Sequence, residues 1–276
     1  MLSFPNCKIN LGLHVTEKRS DGFHNIETVF YPLNWCDALE ITVPESGEGI
    51  TLHTSGLAID SPTEDNLLYK AWDIVRQKHT LPPLRLHLYK NIPMGAGLGG
   101  GSADAAFVIK MLNEQFNLMM SRAEMLEIAS TLGSDCAFFI ENRPLLATGR
   151  GNEFSEIAVN LSAYYILAVF PNVHSNTREA YLGLTPKKPH RELRSIIETT
   201  PPADWKNLLV NDFEESIFKK HPVIGEVKQS LYKAGALYAS MSGSGSALYG
   251  IFNTEPAIEW PHTFKYCLQK PTASVL

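Results

Sequence analysis

No stretch of the 276-residue chain approaches the roughly 18 consecutive apolar residues that a membrane-spanning helix needs. The opening residues, Met1-Leu2-Ser3-Phe4-Pro5, lack the basic region and apolar core of an export signal. Neither insertion nor export is expected. Positive charge is in deficit, with 24 Lys and Arg against 29 Asp and Glu and a formal net charge of −5. That balance excludes the broad basic footprint that nucleic acid demands, so any phosphate recognition has to be local. Cysteine is sparse and scattered. Cys7, Cys36, Cys136 and Cys267 form no C-x-x-C pair, which removes zinc and dithiol motifs and leaves four free thiols expected in a reducing, cytoplasmic setting. Repeats and low-complexity tracts are absent too. What remains is an ordinary globular composition, 44% hydrophobic and 19% charged, long enough for one large domain or two packed ones.

Alternation of apolar and polar residues predicts strands over 6–16, 38–43 and 84–90. Helical periodicity predicts helices over 66–79, from Ser102 onward and over 121–132. A strand-like run at 164–170, closed by Pro171-Asn172, opens a second half, and 184–204 reads as a proline-rich connection with at most one short helix. Helical patterns then alternate with a strand at 247–252. The chain reads as mixed α+β in two lobes, divided into residues 1–155 and 156–276.

Between a predicted strand and a predicted helix lies Pro93-Met94-Gly95-Ala96-Gly97-Leu98-Gly99-Gly100-Gly101-Ser102-Ala103. Five glycines within seven residues carry a high ordering cost. Such a segment is suited to bringing bare N–H groups and a helix N-terminus up to a phosphate. Gly95 to Gly100 also spells G-x-G-x-x-G, the dinucleotide fingerprint, but the following segment continues as helix instead of leading to a second strand with an acidic end. The G-x-x-x-x-G-K-[ST] order is missing, which excludes a P-loop.

This segment resembles the phosphate loop of the GHMP kinase superfamily, P-x-x-x-G-L-G-S-S-A. Two further family elements occur in order, Pro5-Asn6-Cys7-Lys8-Ile9-Asn10-Leu11 and Met241-Ser242-Gly243-Ser244-Gly245-Ser246-Ala247, with Gly133-Ser134-Asp135 between them. The resemblance implies a two-lobed α+β kinase. Its N-terminal lobe would be ribosomal-protein-S5-like, its C-terminal lobe ferredoxin-like, and its active site would lie in the cleft between them. It implies ATP as phosphoryl donor, accompanied by Mg²⁺, and Pro93 to Ala103 as the nucleotide-binding loop. Lys8 and Asp135 would be the catalytic pair, the carboxylate orienting the acceptor hydroxyl and the lysine sharing charge with the phosphate. Departures from the family pattern are Cys7 for alanine and Cys136-Ala137 for Val-Pro, and both leave the charged residues in place.

The Gly-Leu-Gly-Gly-Gly-Ser variant and the segment Asp21-Gly22-Phe23-His24 resemble the branch whose substrate is a cytidine diphosphate derivative of methylerythritol, phosphorylated on its 2-hydroxyl for isoprenoid precursors. In that branch an aromatic ring stacks on cytosine while a histidine meets the base edge, which assigns Phe23 and His24, with Phe30 and Tyr181 as further aromatic contacts. Asn10 would contact the methylerythritol hydroxyls and Arg150 the diphosphate or cytidine. The partners implied are this small molecule alone, without nucleic acid or membrane, in a monomer or weak homodimer. Other GHMP kinases fit less well, because no G-E-H-type sugar signature is present. A nucleotide-binding protein without kinase activity should lack Lys8 or Asp135. A nicotinamide-dependent oxidoreductase should show stabilisation by NAD.

Overall fold

The computed structural model describes residues 1–59, 62–176, 180–181, 184–187, 189 and 191–272. The fold is α+β and divides into two compact units that interleave along the chain. The first unit comprises Met1–Cys7, Asn34–Met94 and Gly99–Arg143, and the second comprises Lys8–Leu33, Gly95–Leu98 and Pro144–Leu276.

In the first unit, β1 (Leu2–Ser3), β4 (Ala38–Thr42), β6 (Leu84–Lys90) and β5 (Ile50–Gly56) form a sheet in that order, antiparallel except for the β5–β6 pair. Alternation along β6 buries Leu84, Leu86, Leu88 and Lys90 and turns Arg85, His87 and Tyr89 outward. Each leucine so buried contributes about 1.5–3 kcal/mol. Helices α1 (Leu67–Lys78), α2 (Gly100–Gln115), α3 (Arg122–Leu132) and α4 (Cys136–Glu141) complete the unit. Asn66 caps α1 through Leu68 N–H, and Ser121 with Glu124 makes a capping box at α3. Helix α2 begins at Gly100, two residues before the expected Ser102. Gly99 takes a left-handed φ of 72° and turns the chain into the helix without a side-chain cap.

The second unit holds two further sheets. One orders β2 (Asn6–Lys18), β3 (His24–Cys36), β7 (Leu145–Thr148) and β8 (Glu153–Glu156), with the first residues of β2 and the last of β3 belonging to the first unit. The other is antiparallel, in the order β10 (Tyr238–Met241), β11 (Leu248–Phe252), β9 (Tyr165–Phe170), β12 (Lys265–Gln269). Helices α5 (Leu193–Thr199), α6 (Glu214–Lys220) and α7 (Pro222–Lys233) accompany them. A core of Leu13, Val15, Leu167, Val169, Phe213 and Leu231, among others, ties β2 to the antiparallel sheet and α7. Both faces of β2 are buried over its first ten residues, and the polar parity carries Lys8, Asn10 and His14 into the interior. Among the described residues no helix is long and apolar enough to cross a membrane.

Candidate active site

A buried lysine is costly unless its charge is met. Lys8 is 3% exposed, and its ammonium donates to Asn10 Oδ1 at 2.8 Å and sits 4.7 Å from the centre of the Phe30 ring. Asn10 Nδ2 donates onward to Thr28 Oγ1 at 2.9 Å, and that hydroxyl donates to Gly12 O at 2.6 Å. The Lys8 backbone N–H reaches Leu98 O at 2.9 Å, joining the strand to the glycine loop. Phe30 itself is buried, lying under Lys8 and 6.3 Å from the Phe154 ring.

The apex of the loop, Gly95–Leu98, rests directly on the late glycine turn. Ala247 N–H donates to Ala96 O at 3.0 Å, and Ser242 Oγ donates to Gly97 O at 2.9 Å while lying 3.3 Å from Asn10 Oδ1. A Cβ at Gly97 would overlap the Ser242 carbonyl oxygen, and one at Gly245 would overlap the Ala96 backbone. Gly97 also has φ of +84°, which disfavours any side chain. We expect Gly97→Ala to weaken ATP binding at least tenfold by calorimetry. Gly101→Ala, whose Cβ would meet nothing nearer than Leu67 at 4.0 Å, should leave the melting temperature unchanged. Equal ATP affinity in the Gly97 variant would sink the steric argument.

In the first unit the helix end of the loop is built around charges. Lys90, 1% exposed, donates to Asp37 at 2.5 Å and to Asp104 of α2 at 2.7 Å, while Asp37 Oδ1 accepts Asn91 and Ile92 N–H at 2.6 and 2.8 Å. Burial would lower the Lys90 pKa, but the two carboxylates more than offset it and raise it. Burial pushes Asp104 up to about 7 against the opposing pull of Lys90, with Asp37 adding to the rise. Asp104 Oδ1 is buried without a hydrogen-bond partner and borders a cavity of about 170 Å³, whose walls include Asn66, Leu67, Leu88, Met94 and Gly101. This cluster was missed at the sequence level, although Lys90 shares the buried parity of Leu84, Leu86 and Leu88.

Asp135 occupies the N-cap position of α4, half-buried, and makes no side-chain cap bond. Its neighbour Cys136 is buried, and its thiol pKa is pushed up to about 11 chiefly by that burial, against a hydrogen bond with Ser102. Ser102 of the glycine loop and the Asp135–Cys136 turn are therefore neighbours.

The base-recognition candidates cluster in the second unit. His24 stacks on Tyr181 with ring centres 4.7 Å apart, and Tyr181 meets Phe213 edge-on at 4.8 Å. Phe23 is 51% exposed, with the Arg150 guanidinium 3.7 Å from its ring centre. Asp21 accepts the Phe23 N–H at 3.0 Å, which with Arg19 holds its carboxyl below the usual range. The glycine loop opening a helix, the buried lysine and the α+β units define a small-molecule kinase of the GHMP class. The family described as GHMP kinases N terminal domain matches residues 66–142, and GHMP kinases C terminal matches residues 193–259.

A curated 4-diphosphocytidyl-2-C-methyl-D-erythritol kinase of Bacteroides thetaiotaomicron is 52% identical over 264 residues, spanning 94% of this chain and 96% of the relative. One of Cytophaga hutchinsonii is 50% identical, with 93% and 94% covered. A crystal structure of 4-(cytidine 5'-diphospho)-2C-methyl-D-erythritol kinase superposes with a TM-score of 0.78 at 30% identity, covering 91% of this chain and 90% of that one. The mevalonate kinase of Methanococcus jannaschii, at 14% identity and a TM-score of 0.67 over 92% and 90%, shares the fold. The chain belongs to the family of 4-diphosphocytidyl-2-C-methyl-D-erythritol kinases.

Proposed function

We propose that this chain transfers the γ-phosphoryl group of ATP to the 2-hydroxyl of 4-diphosphocytidyl-2-C-methyl-D-erythritol, a step towards isoprenoid precursors. The observation that carries the reading is the buried Lys8–Asn10 pair bonded through Lys8 N–H to Leu98 of the glycine loop. It places a desolvated cation beside a backbone cradle, the arrangement that stabilises charge on a transferring phosphoryl group. In this reading the loop N–H groups and the start of α2 hold the triphosphate, and the cavity by Asn66, Leu67 and Asp104 receives the nucleotide base. Asp135 takes the proton of the acceptor hydroxyl, and Asn10 orients that substrate. Phe23, His24 and Tyr181 read the cytosine, with Arg150 facing the diphosphate.

Magnesium, when bound, neutralises the phosphates. The Ser102 hydroxyl, in the first turn of α2, is a hard oxygen donor that would suit it. Residues 1–155 and 156–276 would form the two kinase lobes, consistent with the family matches at 66–142 and 193–259. Four cysteines outside any disulfide fit a cytoplasmic enzyme, which would act as a monomer or weak homodimer.

The test offers Mg-ATP with the cytidylated acceptor, free methylerythritol, mevalonate or galactose. Phosphate is expected on the first alone, and transfer to mevalonate or galactose instead would overturn the assignment. His24→Ala should raise the KM for the cytidylated acceptor about 5- to 150-fold, the equivalent of roughly 1–3 kcal/mol. It should also narrow the gap to the uridine analogue, whereas Phe23→Ala should harm both forms alike by removing a stacking face.

A further inference from the structure

The late glycine turn is itself gripped from behind by one amide. Asn211 is 4% exposed, and both of its amide N–H donors are used on the turn. Its Nδ2 donates to Met241 O at 2.9 Å and to Gly243 O at 2.8 Å, and its Oδ1 accepts Phe213 N–H at 3.0 Å. The two carbonyls lie on either side of Ser242, the residue whose hydroxyl donates to Gly97 O and lies beside Asn10 Oδ1. Asn10 Oδ1 is in turn the acceptor of the Lys8 ammonium.

The backbone around Asn211 is fixed independently of that amide. Leu13 N–H donates to Val210 O and Asp212 N–H to Leu13 O, each at 2.9 Å, in a parallel bridge to β2. Asp212 Oδ2 accepts Val15 N–H at 2.9 Å, and Glu214 Oε1 accepts Met241 N–H at 2.9 Å. The amide therefore projects from a fixed backbone bridge onto the two buried carbonyls of the turn, of which Met241 O also takes a longer bond from Ser240 Oγ at 3.4 Å. Gly243, with φ of +61°, has no side chain of its own to restrain that turn.

We infer that Asn211 is a positioning residue for the phosphate loop and the Lys8–Asn10 pair, acting by pinning the carbonyls that flank Ser242. Without it the turn can rotate, Ser242 loses its place against Gly97 and Asn10, and the loop apex and the Lys8 partner both loosen. The inference rests on the kinase reading of the glycine loop but concerns a residue that touches neither substrate.

The decisive variant is Asn211→Asp, which keeps the acceptor for Phe213 N–H, and with it the support of Tyr181, but replaces both donors by an oxygen facing two carbonyls. Ser242→Ala removes only the hydroxyl, and the double variant closes a cycle. We expect each single change to raise the Kd for ATP about five- to tenfold and to lower kcat about tenfold. The KM for the cytidylated acceptor should rise by a similar factor through the loosened Asn10, and the double variant should be no worse than the poorer single one. A merely structural role would lower the melting temperature and the active fraction while leaving ATP affinity and kcat per active molecule unchanged. That outcome overturns the inference, as does an additive cycle. Should the parent protein bind ATP yet phosphorylate no cytidylated acceptor, the substrate assignment falls, while a non-additive loss of ATP affinity still supports Asn211.

Discussion

Asp135→Asn should lower kcat by about 10²- to 10⁴-fold, the usual worth of a positioned general base, with the Kd for ATP and the melting temperature close to those of the parent. The separation follows from how the residue sits. Asp135 holds the N-cap of α4 without a side-chain cap bond, and asparagine is as good as aspartate at such a position, so folding has little to lose. The chemistry loses the only group in the proposed reaction that can take the acceptor proton. Steady-state kinetics beside a thermal melt decides the matter. Turnover within tenfold of the parent would reduce Asp135 to a turn residue and leave the proton without an acceptor.

Lys90→Met should be the most destabilising single change in the first unit, at about 3–5 kcal/mol. Removing the ammonium strands Asp37 and Asp104 in a site where all three side chains are almost wholly buried. Denaturant midpoints would show it, and a Lys90→Met variant also carrying Asp104→Leu should recover much of the loss by removing the unpaired charge. The same cluster predicts a pH signature. The Asp104 carboxyl is raised to about 7 in the folded protein against an ordinary 3.8, so the folded state holds an extra proton between those values. Its cost is absent below about pH 3.8 and complete above about pH 7. Stability should therefore fall as pH rises from 5 to 7, by up to about 1.4 kcal/mol per unit from this group. Asp104→Asn should flatten that slope. A variant with the parent's slope would place the proton elsewhere.

Where one periodicity governed burial, the sequence was legible. β6 spans 84–90 as its alternation requires, and α1 spans 67–78 within the expected 66–79 because Asn66 supplies the cap. Among its described residues the connection at 184–204 contains one short α-helix, 193–199, as expected, and the start of a 3-10 turn over Pro202–Asn207. Less legible was burial of polar residues: alternation over 6–16 marks a strand but does not record that its Lys8, Asn10, His14 face is interior. α2 opens at Gly100, close to the expected start near Ser102, where Gly99 makes the turn. Lys8, Asn10 and the glycine loop were found as motifs, and the structure gathers Phe23, His24, Tyr181 and Arg150 from distant segments. Ser242 lay within the late glycine motif with no role of its own, and Asn211 gave no signal, since its worth lies in backbone carbonyls that no side-chain pattern records.

The meeting of Ala96–Gly97 with Ser242 and Gly245 is a contact of two main chains. Side chains that touch must change together through descent, each replacement waiting on its partner. Two bare backbones ask only that nothing be added to either. The pair thus tolerates almost unlimited drift in the residues around it while forbidding even a methyl group at its centre. Segments taken from distant lineages should remain interchangeable there so long as they keep the one side chain that crosses the contact, the Ser242 hydroxyl donating to Gly97 O.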